Sequence, residues 1–185
     1  MTAEPTTPPK VVTVEVWPVA ADQRGIWLLS GLGPWPSPPV AQGIDNAEHI
    51  AAEIELMQHQ ARAETVILHS TSWRSTTVEM VCTFLAVIDC PGRPVRAHWP
   101  EALPLDPRVV EVVGSEPTHG AAEPPVVREI GVLRHAVRHL KFLIDPASIG
   151  FDATIAAALP EIWDRHMVAI TPAIARMYGQ LHESA

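Results

Sequence analysis

A polar run stands beside a strand-like apolar run near the middle of the chain. Residues 69–74 read His-Ser-Thr-Ser-Trp-Arg, and a run of apolar and β-branched residues follows. Hydroxyl groups, loop N–H groups and a guanidinium group are what a phosphate or carboxylate ligand requires, and a tryptophan ring can stack on a planar ligand. The run therefore predicts an anion-binding site made by His69, Ser72, Trp73 and Arg74. The alternative is a structural loop whose hydroxyl groups cap a strand end.

Two histidines in the C-terminal half have the spacing of metal ligands. His135 and His139, in the segment HAVRH, are four residues apart and share one face of a predicted helix. This spacing recurs in zinc sites, which need further ligands to complete a tetrahedron. A third ligand would come from elsewhere in the chain, with His119 and Glu123 as candidates.

The same predicted helix carries a basic stripe. Arg134, Arg138 and Lys141 follow one another at i, i+4 and i+7, beside the two histidines. Arg134 and Arg138 are therefore included among the predicted ligand-binding residues. The alternative partners of the stripe are an acidic protein surface or Asp and Glu side chains of this same chain.

Two proline-rich loops are further candidates. The segment SEPTHGAAEPP, residues 115–125, carries His119 in a loop that its prolines stiffen. His119 either faces an anionic ligand near the start of the next helix or belongs to a rigid linker. The segment GLGPWPSPPVAQG, residues 31–43, carries Trp35, which either docks against a partner or pocket or folds back onto the core.

The length, charge and cysteine content of the chain exclude some classes of function. The chain has 185 residues, a formal net charge of −8 and a pI near 5.5. This charge argues against nucleic-acid or anionic-membrane binding through the surface as a whole. Cys82 and Cys90 flank one predicted strand and are interpreted as free thiols. No signal segment is recognised and no apolar run reaches about 18–20 residues, so the expected location is the cytoplasm.

Apolar periodicity and turn residues predict the strands. Residues 1–9 are predicted to be disordered, and Pro18 is expected to end the first strand. The predicted strands and turns are a strand at 10–20, a hairpin turn at 21–25, a strand at 25–31, strands at 64–69 and 77–89 with a loop at 70–75, and a turn at 90–94.

Apolar residues at helical spacing predict the remaining elements. The C-terminal helix is expected to pack on the core, with a dimer interface as the alternative, and Pro172 is expected to kink or split it. The predicted helices cover residues 46–62, 107–113, 126–144, 151–158 and 160–182.

The order strand, hairpin, Gly-rich loop, helix, strand, loop and long strand resembles the Nudix fold over residues 10–114. That family's motif, GX5EX7REUXEEXGU, places several carboxylates on a helix to hold Mg²⁺ against a pyrophosphate. Only one motif glutamate is kept here, at Glu53. The other matched positions of the REUXEEXG part hold Ala52, Leu56, Met57 and His59. The resemblance therefore implies the fold without Nudix-type hydrolysis, and Mg²⁺ only if hydrolysis is retained.

The chain is also similar to uncharacterised actinobacterial proteins that carry HSTSWR and PTH…EPP segments. The expected architecture is α+β: a Nudix-like mixed-sheet sandwich over 10–114, with a Pro-rich loop and C-terminal helices over 115–185 packed on it. The predicted function is non-hydrolytic binding of a phosphate-bearing or anionic small ligand, without a cofactor. The alternatives are a protein–protein interaction module, a homodimer included, and a metal-dependent nucleotide hydrolase with relocated carboxylates at Glu48, Glu53 and Glu55.

Overall fold

The computed structural model describes residues 11–31, 33–36, 64–75, 79–106 and 129–170. This part of the chain is α+β, with a mixed sheet and helices, which confirms the α+β class that the sequence predicts. The strands are β1 (Val11–Asp22), β2 (Gly25–Leu28), β3 (Trp35–Pro36), β4 (Glu64–Ser75), β5 (Glu79–Asp89) and β6 (Leu103–Leu105). The helices are α1 (Val95–His98), α2 (Glu129–Ile144), α3 (Ala153–Ala158), a 3₁₀ turn (Glu161–Trp163) and α4 (Asp164–Met167).

One parallel pair lies at the centre of the sheet. The strand order is β4-β5-β1-β2-β6, and β3 also pairs with β1. Strands β1 and β5 are parallel from the pair Val11–Glu79 to the pair Val19–Val87, whereas the other pairs are antiparallel. The carboxyl ends of β1 and β5 therefore lie at the same end of the sheet, where the turns that follow them meet.

Pro18 lies inside β1, so the prediction that it ends the strand is wrong. Its carbonyl oxygen accepts a hydrogen bond from the Leu29 N–H group at 2.9 Å, on the side of β2. The position of its missing N–H group faces the same side, because both groups of a strand residue point one way. There the partner of β1 changes from β3, paired up to Val16, to β2, paired from Val19. The proline therefore falls at the point where β1 changes its antiparallel partner.

The predicted loop at 70–75 is also wrong, because β4 continues to Ser75 along β5. Strand β4 has one more residue than β5 between the pairs of Ser70 and Ser72, which shifts the register there. Thr71 is buried there, and its hydroxyl donates to the carbonyl oxygen of Thr83 at 3.4 Å. A polar strand at a sheet edge does not show the apolar alternation of a half-buried strand, which is why the sequence pattern is typical of a loop.

The other predicted elements are confirmed, are wrong, or lie outside the described residues. The hairpin turn, the turn after β5 and the helices α2 and α3 are confirmed. The single last helix is wrong over residues 160–170. Trp163, Met167 and Ile170 are buried at helical spacing, but the chain forms only a 3₁₀ turn and the short α4. Outside the described residues lie the N-terminal segment 1–9, the segments 46–62, 107–113 and 115–125, the boundary at 114, and Pro172.

Two apolar layers cover the sheet. On one face, Trp17 and Leu85 pack with Leu133 and Leu140 of α2 and with Trp163. On the other face the core contains Ala20, Trp27, Leu29 and Ile88 of the sheet, with Val95, Trp99 and Ala102. Trp35 is half-buried against this second layer, so it folds back onto the core.

A small polar network is buried on the α2 side of the sheet. Glu15 is only 7% exposed, and its carboxylate accepts hydrogen bonds from the Thr83 hydroxyl at 2.8 Å and from the Trp17 ring N–H at 3.4 Å. Both cysteines are free thiols, as predicted. Within the described segments, none of the helices is long and apolar enough to cross a bilayer.

Candidate functional site

The carboxyl ends of β1 and β5 form a polar crevice. Strand β1 ends at Asp22 and is followed by Gln23 and Arg24, while β5 ends at Asp89 and is followed by the turn at 90–94. In open sheets with parallel strands, ligands bind outside the carboxyl ends of the strands. Parallel pairing thus brings together two turns that are about 70 residues apart in the chain.

Asp22 holds these turns in place. Its carboxylate accepts three hydrogen bonds: from the Arg24 N–H at 2.8 Å, from the Trp27 ring N–H at 2.8 Å and from the Val95 N–H at 3.0 Å. Burial acts to raise the pKa of Asp22, but the hydrogen bonds outweigh it and hold this pKa below its usual range. The carboxylate is therefore committed to fixing the backbone of both turns.

The C-terminal helical segment is tied to the same point. Nε2 of His166 donates a hydrogen bond to the carbonyl oxygen of Asp22 at 2.8 Å. This contact joins α4 to the turn between β1 and β2, and it brings the neighbouring Arg165 to the rim of the crevice. Elements from both halves of the chain therefore contribute to one site.

Two cavities adjoin at this end and share Arg24. The first, of about 480 Å³, extends over both turns and is bordered by Arg24, Arg93, Asp89 and Cys90. The second, of about 450 Å³, is bordered by Arg24, Arg165, His166 and Asp106. Both volumes fall within the range of small-molecule sites, about 300–1,000 Å³. We call the two cavities together the arginine groove.

The guanidinium groups of the groove are available to a ligand. Arg24, Arg93 and Arg165 are exposed, and within the described segments their guanidinium groups make no hydrogen bond or ion pair. The chain as a whole has 13 Lys and Arg against 21 Asp and Glu, whereas the two cavities are bordered by three arginines and three aspartates, so the groove is less acidic than the chain. Guanidinium groups bind phosphate and carboxylate through paired N–H donors.

The groove is not uniformly positive. Asp89 borders the first cavity and Asp106 borders the second. The carboxylate of Asp89 can accept hydrogen bonds from hydroxyl groups of a ligand whose anionic part is held by arginine. The arrangement suits a polar molecule with both an anionic group and hydroxyl groups.

Cys90 lies in the groove but does not have the properties of a nucleophile. Burial, with the nearby carboxylates of Asp89 and Asp22, raises the pKa of its thiol to about 12. The thiolate is the reactive form, so this thiol is unreactive near neutral pH. The groove therefore offers binding groups rather than thiol chemistry.

The structure places the predicted polar run along β4, away from the groove. His69 is half-buried opposite Leu85, and its ring centroid lies 5.4 Å from that of His139 on α2. Ser72 is half-buried, and the backbones of Trp73 and Arg74 pair with Cys82 and Val81. His119 lies outside the described residues, and so does Glu123. The ligand-binding role of His69, Ser72, Trp73, Arg74 and His119 stays a prediction.

The predicted basic stripe of α2 differs from a solvated helix face. Arg138 is only 5% exposed and Arg134 is half-buried. Lys141 forms an ion pair with Asp145, with Nζ and Oδ2 3.1 Å apart, which is the pairing with this same chain that the sequence allows. None of the cavities bordered by described residues alone includes Arg134 or Arg138, and their predicted role in ligand binding stays untested.

Three histidines meet where α2 packs on β4. The ring centroids of His135 and His139 are 6.4 Å apart, and His69 completes the group, which we call the histidine cluster. Burial lowers the pKa of all three, and that of His139 falls to about 4 because His69 and His135 add to the effect of burial. In the part of the chain that is described, no three His, Cys, Asp or Glu residues are arranged to hold a metal ion.

Sequence reasoning missed the three arginines of the groove. Arg24 and Arg93 each stand in a predicted glycine-containing turn, which is a usable signal. The turns become neighbours only through the parallel pairing of β1 with β5, which no local pattern reveals. Comparison of the chain with protein-family models, with curated proteins and with solved structures finds no match.

Proposed function

We propose that this protein binds a phosphate-bearing or similarly anionic small molecule in the arginine groove, without hydrolysing it. The observation that carries the proposal is the set of three exposed guanidinium groups around two adjoining cavities. Asp22 and His166 hold the backbone beneath these groups, so the site needs little rearrangement to receive a ligand.

Binding without hydrolysis fits the groups of the groove. The thiol of Cys90 is held protonated and the carboxylate of Asp22 is occupied by three hydrogen bonds. Neither group is available to activate water or attack a phosphorus atom. The Nudix-like architecture belongs to this proposal as well: its support is the order of elements in the sequence, and its degenerate motif agrees with binding alone.

A thermal-unfolding screen tests the proposal. The probes are inorganic phosphate, pyrophosphate, nucleoside diphosphates and nucleoside diphosphate sugars, each with and without Mg²⁺. A ligand at about 100 times its Kd stabilises the native state by about 2.7 kcal/mol, which is a clear shift of the midpoint. We expect Arg24→Gln to abolish the shift. Arg96→Gln is the matched control, because Arg96 is exposed, lies outside the groove and bonds only to the Pro100 carbonyl.

Each outcome distinguishes the proposal from its alternatives. A shift that survives Arg24→Gln but disappears in Arg74→Gln would transfer the site to the β4 run. Release of phosphate from a nucleoside diphosphate in the presence of Mg²⁺ would support the metal-dependent hydrolase. No shift with any probe would contradict ligand binding and favour the protein–protein interaction module.

A further inference from the structure

An apolar cavity adjoins the arginine groove on the helical face of the sheet. It lies between the edge strand β6 and the first turns of α2, and its volume is about 210 Å³. All the side chains that border it are apolar, and we call it the apolar pocket. They are Trp17, Leu28, Leu103, Pro104, Leu105, Ile130 and Leu133, and Gly31 borders the pocket as well.

The floor and the rim of the apolar pocket differ in exposure. Trp17, Leu28 and Leu133 at the floor belong to the buried core. Leu103 and Ile130 at the rim are each 40% exposed, which is unusual for large apolar side chains next to a core. A ligand that covered this surface would remove apolar area from water, and that burial favours binding.

The apolar pocket and the second cavity of the groove share one wall. Pro104 and Leu105 of β6 border both cavities. Ile26, which pairs with Leu105, borders the second cavity. Leu28, which pairs with Leu103, borders the apolar pocket. Because Ile26 and Leu28 are two residues apart on one face of β2, the two cavities follow each other at about 7 Å along the strand, a distance that one small molecule spans.

The size of the apolar pocket fits part of a ligand. Its volume lies below the range of complete small-molecule sites, about 300–1,000 Å³. It nevertheless exceeds the volume of an apolar cavity that binds benzene, about 150 Å³. The pocket therefore holds an aromatic ring or a short alkyl chain, whereas the long acyl chains of a membrane lipid exceed its volume.

We propose that the ligand of the arginine groove is a small amphipathic anion. Its phosphate or carboxylate group binds beside Arg24 and Arg165, and its short alkyl chain or aromatic ring occupies the apolar pocket. This inference rests on the proposed function and narrows the class of ligand. The pocket discriminates against a ligand with a polar second end, because its side chains offer no hydrogen bond to a buried polar group. Hydroxyl groups can still face Asp89, since the apolar pocket shares no residue with the first cavity.

A series of phosphate esters tests this inference. The full chain is titrated with inorganic phosphate and with methyl, propyl, pentyl and phenyl phosphate, and binding is measured by calorimetry. We expect the affinity to rise by up to about fourfold for each methylene group that enters the pocket, and to level off once the pocket is filled. Arg24→Gln should weaken the binding of every member of the series.

Variants at the rim separate the apolar pocket from the groove. Leu103→Asn should weaken pentyl and phenyl phosphate by at least about fourfold, the contribution of one buried methylene group, and leave methyl phosphate unchanged. Ile130→Gln, at the other side of the rim, should have the same effect. Ile149→Asn is the matched control, because Ile149 is 79% exposed and borders none of the three cavities. Urea unfolding shows that each variant is folded.

The outcomes distinguish this inference from the proposed function. Equal affinities for methyl and pentyl phosphate, both lost in Arg24→Gln, would overturn the amphipathic ligand and leave anion binding in place. A gain with chain length that persists in both rim variants, or that disappears equally in Ile149→Asn, would also overturn it, because the chain would then not bind in the pocket. Absence of binding by every phosphate compound would contradict the groove and the pocket together.

Discussion

The histidine cluster and the arginine groove use polar side chains in opposite ways. In the cluster, the half-buried ring of His139 contacts those of His69 and His135 between β4 and α2, and burial disfavours the charge of all three. In the groove, exposed guanidinium groups keep their charge while a hydrogen-bonded carboxylate beneath them fixes the backbone. Imidazoles in the first region are thus coupled to folding, whereas the exposed arginines of the second can be changed with little effect on folding.

Asp22 is the residue whose loss should affect both stability and binding most. Asp22→Ala removes the acceptor for two backbone N–H groups and the Trp27 ring N–H, and we expect unfolding free energy to fall by about 3 kcal/mol. Affinity for the anionic ligand should fall as well, because the two turns lose their link. Urea unfolding measures the first effect; Asp164→Ala, an exposed control, should cost less than about 0.5 kcal/mol.

The buried network beside the cluster should behave as a purely structural polar region. Thr83→Val keeps the side-chain volume but removes the hydroxyl that donates to Glu15 at 2.8 Å, so we expect a loss of about 2 kcal/mol. Thr71→Val removes a longer contact of 3.4 Å and should cost less. Equal costs in urea unfolding would mean that the Glu15 carboxylate does not depend on Thr83.

Acid should lower the free energy of unfolding through the histidine cluster. The pKa of His139 is about 4 when folded and 6.5 ordinarily, so the unfolded chain binds more protons between these values. Stability is therefore highest above pH 6.5 and falls as the pH drops toward 4. After screening of the half-buried rings, we expect a loss of about 1–2 kcal/mol. Unfolding curves from pH 7 to 4 should show a smaller fall in His139→Asn; an identical fall would contradict the role of this ring.

Replacing an exposed arginine of the groove should change the stability least. Arg24→Gln changes an exposed guanidinium group that has no partner among the described residues, so unfolding free energy should change by less than about 0.5 kcal/mol. Its effect belongs to ligand affinity alone. A loss of stability above 1 kcal/mol in urea unfolding without ligand would show that Arg24 is structural and would remove the contrast between the two regions.

Elements that depend on neighbouring residues alone could be predicted from the sequence. The spacing of Leu133, Val137 and Leu140 indicates α2, and glycine with polar residues indicates the hairpin turn at 21–25. The C-terminal half of β4 was predicted as a loop. An edge strand tolerates serine and threonine, so residues 70–75 have the composition of a loop. Pro18 was misjudged because its effect depends on which neighbour faces its nitrogen.

The histidine cluster and the arginine groove could not be predicted in full from the sequence, because each is formed by residues that are distant in the chain. The i, i+4 spacing of His135 and His139 was visible, but the register of β4 was needed to add His69. Arg24 and Arg93 were each visible in a turn, but only the parallel pairing of β1 with β5 makes them neighbours. Arg165 joins them through the contact of His166 with Asp22. In each case the sequence indicated the residue type and the topology supplied the partner.

The most direct test of the anion-binding claim is to observe the arginine side chains themselves. Nuclear magnetic resonance spectra of ¹⁵N-labelled protein, recorded through the Nε–Hε groups, resolve arginines during titration with pyrophosphate. The groove predicts saturable shifts of Arg24, Arg93 and Arg165 with a common Kd, while Arg96 stays unchanged. Shifts confined to Arg74, Arg134 or Arg138 would contradict the groove and return the site to β4 and α2.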